Sequence, residues 1–120
     1  MWTYLLVFVG GGAGSVCRFG IAHALSRYPL VFPWATLLAN ACSCFVLGML
    51  LGQQIKAGMA ATPRFLLMVG FCGGFSTFST FTAETLQLLQ NGHPLYALSN
   101  VLFSLLVCLI SIFLGIKMVG

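Results

Sequence analysis

The segment GFCGGFSTFSTFTAE, residues 70–84, concentrates unusual chemistry in an otherwise apolar chain. Ser76, Thr77, Ser79, Thr80 and Thr82 carry hydroxyls, Gly70, Gly73 and Gly74 loosen the backbone, and Phe71, Phe75, Phe78 and Phe81 recur at helical spacing. A hydroxyl donates a hydrogen bond without bringing a full charge. Gly-Gly followed by Ser and Thr is a poor helix by propensity, and irregular backbone at membrane depth persists only where it is buried in protein or lines a polar cavity. The pattern therefore predicts a break near Gly73–Ser76. A broken helix offers unpaired carbonyl oxygens to a cation and helix N-termini to an anion. The row of phenylalanines reads first as core packing, but a ring also has a positive edge that can support a small anion.

Other polar residues stand inside apolar runs. Thr36 and Asn40 are four apart and share a helix face. Asn100, Ser104, Cys108 and Ser111 follow at steps of four, four and three, a polar stripe along an apolar helix. Interhelical hydrogen bonding is the ordinary reason for such stripes in lipid. Their chemistry is still informative, because hydroxyls and amides donate while the chain has a single acid, Glu84. A path lined in this way suits an anion better than a metal ion or a proton relay. Glu84 itself reads equally well as a carboxylate snorkelling at a helix end.

The elements that must hold these residues follow from composition. Of 120 residues, 60% are hydrophobic and 5% charged, with a mean hydropathy of +1.07, whereas about a quarter of a soluble domain is charged. Four stretches reach the ~20 apolar residues that a bilayer core requires: about 2–25, 34–55, 65–90 and 95–116. Short connections carry Pro29, Pro33, Pro63 and Pro94. These features predict an all-α integral membrane protein, residues 1–120 forming one four-helix transmembrane domain with its third helix broken. The first span lacks a basic stretch before its apolar run, which marks it as a retained helix rather than a secretory leader. Gly10 with Gly14, Gly48 with Gly52, and Gly70 with Gly74 have the four-residue spacing that lets backbones approach closely in lipid. The five cysteines form no C-x-x-C pair and read as small packing residues.

Charge narrows the function classes. The net charge of +4 is dispersed over Arg18, Arg27, Lys56, Arg64 and Lys117 against Glu84, too sparse for a nucleic-acid surface. Four spans put both termini on one side with Lys56, Arg64 and Lys117, and leave Arg18 and Arg27 on the other. Such a small bias leaves open both a single orientation and insertion both ways up. One Glu and two scattered histidines, His23 and His93, offer no acid–base pair or triad, so an enzyme is disfavoured. A dual-topology multidrug or cation exporter would match in size but needs a membrane-embedded carboxylate as its coupling site, absent from the first span. A purely structural membrane subunit would account for the glycine pairs but not for the hydroxyl-rich break.

GFCGGFSTFSTF on the third span, with GGGAGSVCR on the first and ATLLANACSCFVLG on the second, resembles the CrcB/Fluc family of fluoride channels over nearly the whole chain. That resemblance implies a fluoride-selective channel exporting fluoride passively across a bacterial inner membrane and conferring fluoride resistance. It implies an antiparallel, dual-topology homodimer in membrane lipid, with two pores and a structural sodium ion on the two-fold axis. The sodium would be held by backbone carbonyls of Gly73 and Ser76. Phe78 and Phe81 would turn ring edges to fluoride, Asn40 would be a pore-lining donor, Ser79, Thr80 and Thr82 a hydroxyl track, and Arg18 would lie near an aqueous vestibule. Ser104 belongs to the same pathway through the fourth-span stripe. The chain departs from the family pattern at Ser76, often Thr, at Asn100, where many relatives carry tyrosine, and at Cys108, where a hydroxyl is frequent.

Overall fold

The computed structural model describes residues 1–120, and every regular element in it is helical. Helix α1 runs over Trp2–Leu25 and α2 over Trp34–Ala57. The next helix is in two parts. Its first part, α3, comprises a turn at Ala61–Pro63, a π-helical stretch over Arg64–Cys72 and a last turn at Gly73–Phe75. Its second part, α4, spans Phe78–Gln90, and α5 spans Pro94–Val119. Gly58 and Gly92 supply the positive φ, 76° and 79°, at the turns that follow α2 and α4.

Each of the four spans is long and apolar enough to cross a membrane, α5 most of all with a mean hydropathy of 2.5. The 26 residues of α5 rise about 39 Å at 1.5 Å each, more than the roughly 30 Å of a hydrocarbon core. Only 17 of the 120 residues are buried, which no water-solvated core of this length would tolerate. Phe8, Phe19, Leu106, Leu109 and Phe113 face outward. Such side chains are at home in acyl chains rather than in water. This is a multi-pass membrane protein.

Two glycine-lined contacts make the frame. Along α1 and α3, a Cβ placed on Gly14 would stand 2.1 Å from the Phe71 carbonyl oxygen, and one on Gly74 would stand 2.2 Å from that of Gly11. Along α2 and α5, a Cβ on Gly48 would stand 2.2 Å from the Ile112 oxygen, and one on Gly115 would stand 2.3 Å from the Phe45 oxygen. Backbones are thus in direct contact in both pairs, the close packing that drives helix association when lipid removes the hydrophobic gain. All three glycine pairs picked out by their spacing lie on these contacts.

The interruption falls at the C-terminal edge of the expected segment. Gly73–Phe75 stays helical, while Ser76 (φ −86°, ψ 159°) and Thr77 (φ −152°, ψ 123°) are extended. Gly74 is pressed against Gly11, which holds its turn in place; the chain departs from the helix at the first residue beyond that contact. Before the break the third span packs on α1, and after it on α5. The extended pair therefore carries the chain from one helix pair to the other.

These contacts predict unequal consequences for two alanine substitutions in purified protein. Gly48→Ala should lower stability by about 1–3 kcal/mol through overpacking against a backbone that cannot yield. Gly12→Ala, whose added methyl would meet nothing within 4 Å, should raise it by up to about 1 kcal/mol through helix propensity. Thermal unfolding in detergent reads both, and equal effects would contradict the packing described.

Candidate functional site

A helix that stops inside a membrane leaves backbone groups without partners, so each such group must be accounted for. The peptide at Thr77 is paired with a side-chain amide. The Thr77 N–H donates to Asn40 Oδ1 at 2.8 Å, and Asn40 Nδ2 donates to the Thr77 carbonyl at 3.2 Å. Arg18 Nε donates to the Gly74 carbonyl at 3.1 Å, setting a cation at the negative end of α3. The Cys72 carbonyl accepts from the Ser76 N–H and from the hydroxyls of Ser43 and Ser76. Thr77 also caps α4, its Oγ1 accepting from the Thr80 N–H at 3.2 Å.

What remains unpaired is equally specific. Because the Thr77 N–H turns to Asn40, the Gly73 carbonyl loses its helical donor. No hydrogen bond within the chain reaches the carbonyls of Gly73 or Ser76. On the other side of the break, the N–H groups of Phe78 and Ser79 open α4 without a partner. Free oxygens and free N–H groups thus stand one peptide apart.

Beside the α4 N-terminus lies a groove of about 380 Å³ between α2, α4 and α5, lined by Asn40, Ser76, Thr77, Phe78, Phe81 and Ser104 together with Cys44 and Cys108. Four of the seven residues assigned to an ion path, Asn40, Phe78, Phe81 and Ser104, meet here. Ser79, Thr80 and Thr82 do not line it. The Ser79 hydroxyl is 3.3 Å from that of Thr77, and Thr82 donates to the Phe78 carbonyl at 2.8 Å. Arg18 is half-buried against the break. The phenylalanine row divides at the same point. Phe71 and Phe75 pack edge-to-face with centroids 5.5 Å apart, Phe75 buried, whereas Phe78 and Phe81 stand 5.8 Å apart on the groove and Phe78 is 79% exposed.

The fourth-span stripe is a hydrogen-bond relay. Ser104 donates to Asn100 Oδ1, Asn100 Nδ2 donates to Thr85 Oγ1, and Thr85 donates to the Phe81 carbonyl. Asn100, only 1% exposed, thereby ties α5 to α4. Glu84 lies further along α4, in a second cavity of about 360 Å³ shared with Gln87, Asn91 and His93. Its Oε1 is buried without a hydrogen-bond partner. Thr77 and Ser43 are the working residues that residue patterns alone did not pick out. Thr77 carried a signal, a threonine immediately ahead of a helical phenylalanine spacing, which is an N-cap position.

A family model described as "CrcB-like protein, Camphor Resistance (CrcB)" matches residues 5–116. The chain belongs to the CrcB family. It is 43% identical over 114 residues to a protein of Pyrococcus abyssi, covering 94% of this chain and 92% of the relative. It is 39% identical over 119 residues to one of Opitutus terrae, covering 96% and 90%, and 41% identical over 121 residues to one of Thermus thermophilus, covering 100% and 97%. All three relatives bear the name fluoride-specific ion channel FluC. These CrcB relatives are named as channels and not as enzymes.

The Asn40–Thr77 pairing can be tested apart from any transport. Asn40→Leu removes both hydrogen bonds and leaves a half-buried N–H and C=O unsatisfied, which should cost about 2 kcal/mol. Thermal unfolding in detergent should show that loss together with faster deuterium exchange at the Thr77 amide. An Asn40→Leu protein with wild-type stability and protection would show that the pairing does not hold the break.

Proposed function

We propose that the chain is a channel that conducts fluoride passively, and that the groove beside the α4 N-terminus is its pathway. One observation carries this reading: Phe78, whose N–H is unpaired, the Asn40 amide and the Phe78–Phe81 ring pair meet on one groove without a carboxylate. Fluoride is small and strongly hydrated, so its water must be replaced by several donors at once. Helix N-termini favour anions, and ring edges are positive. Asn40 retains one N–H beyond the bond to Thr77, and Ser104 can donate by turning from Asn100. A fixed cation in the groove would hold the ion too tightly, since conduction needs sites weak enough to leave. The groove lining contains no Lys or Arg.

The same reading makes the working unit a homodimer of oppositely oriented copies with two pores, in a bacterial inner membrane. Its support is the incompleteness of one chain, in which Phe78 and Gly73 are exposed at the break. Ser79, Thr80 and Thr82, on α4 outside the groove lining, are assigned to the stretch of path that a second copy would complete. Arg18 neutralises the end of α3 beside the entrance.

The donor set at the break fits a hard cation. The free carbonyls of Gly73 and Ser76 are uncharged oxygens, and a Cβ on Gly73 would meet nothing within 4 Å, so this face is open to a ligand. Two oxygens per chain are too few for such an ion, and two-fold symmetry would double them. Sodium there would supply charge neutralisation between the two α3 C-terminal ends.

A single orientation is the competing reading. Arg18 is engaged with Gly74, which leaves Arg27 alone among loop charges against Lys56, Arg64 and Lys117 and strengthens the bias that sets topology. A C-terminal tag probed from each side of the membrane should be found in both orientations in comparable amounts; one orientation alone would remove the antiparallel dimer.

Phe78→Ile or Phe81→Ile keeps apolar bulk but deletes the ring edge. Each should lower fluoride flux by about tenfold or more, equivalent to about 1.4 kcal/mol in barrier, while the protein elutes in the same oligomeric state. Wild-type flux in both well-folded variants would return these rings to core packing and place the path elsewhere.

A further inference from the structure

The groove wall holds two residues that the fluoride reading does not use. Helices α2 and α5 keep a constant register through their glycine contact, Gly48 meeting Ile112 and Gly52 meeting Ile116. One turn back along both helices, the same offset sets Cys44 beside Cys108. Both are free and half-buried, and both line the groove. The remaining lining is amide, hydroxyl and apolar, with no imidazole or carboxylate, and no three potential ligands cluster anywhere in the chain.

We propose that Cys44 and Cys108 form a dithiol site for one mercuric ion, bridging α2 and α5 in the groove wall. Soft thiolates select soft metals, and a site with only two sulfurs cannot complete the tetrahedral shell that zinc takes. Binding is a balanced exchange: each thiol releases its proton to water, two sulfur–mercury bonds form as the two chloride or water ligands leave the metal, and the divalent charge is cancelled by two thiolates. The product is neutral. A monovalent soft ion on the same pair would leave a net negative charge in an apolar wall, which is costly. The helix frame fixes the two sulfurs relative to each other, so the second bond forms at high effective concentration.

The site stands on this geometry alone, whereas its effect on transport rests on the fluoride-pathway reading. Purified full-length protein in detergent is titrated with mercuric chloride, then labelled with a maleimide, and each cysteine is scored by peptide mass. One equivalent per chain should protect Cys44 and Cys108 together while exposed Cys17 still labels. Cys108→Ser should weaken protection of Cys44 about a hundredfold, and Cys44→Ser should do the same for Cys108, the scale of lost effective concentration. Protection of the two cysteines at different equivalents, or undiminished in either single variant, overturns the site. In liposomes the same equivalent should block fluoride flux, dithiothreitol should restore it, and the double serine variant should be insensitive. Full flux with both thiols protected would leave the metal site standing and count against the groove as the pathway.

Discussion

One peptide inside the membrane-spanning frame is held by a side chain instead of by a helix. The Asn40 amide both accepts from and donates to Thr77, and so takes the place of the helical partners that a break would abandon. Lipid offers no water to satisfy such groups, and each orphan costs several kcal/mol. With Asn40, Arg18, Ser43 and Thr77 satisfying the inner groups, the groups left over are those on the two open faces. That remainder comprises free oxygens at Gly73 and Ser76 and free N–H groups at Phe78 and Ser79, and the proposed ion chemistry is built on it.

That arrangement needs a frame that does not yield. Glycine-lined contacts bring α1 against α3 and α2 against α5 at backbone distance, and the break passes the chain from one pair to the other. Asn40 can meet Thr77 only because α2 keeps its position against α5, and Arg18 can meet Gly74 only because α1 is locked to α3. The relay from Ser104 through Asn100 to Thr85 then ties α4 back to α5. Rigidity of this kind matters for a small ion, whose shell of donors must be in place before it arrives.

Much of this was legible in the residues. Four apolar runs gave the spans to within a few residues, because hydropathy over ~20 positions is a strong signal, and glycine spacing marked both helix contacts. The break was legible from Gly73, Gly74 and the hydroxyls after them, although Gly74 turned out to be clamped helical by Gly11. The π-helical winding of Arg64–Cys72 had no counterpart in residue type, since propensity does not distinguish it from an α-helix. Asn40 was read as a donor, but its second role, accepting from the Thr77 N–H, depends on a tertiary contact between positions 37 apart. The phenylalanines show the limit most clearly. A uniform spacing hid two populations, Phe75 in the core with Phe71 packed edge-on against it and Phe78 and Phe81 on the groove, because the break that separates them resets the helical phase.

The central claim is that neutral donors and ring edges, set around one broken helix, pass fluoride and reject a larger halide. Ion efflux from liposomes containing only the purified protein, measured with fluoride and with chloride inside, tests it most directly. The account predicts rapid fluoride efflux and no chloride efflux above that of protein-free liposomes. Equal efflux of the two ions, or none of either from correctly folded protein, would contradict it.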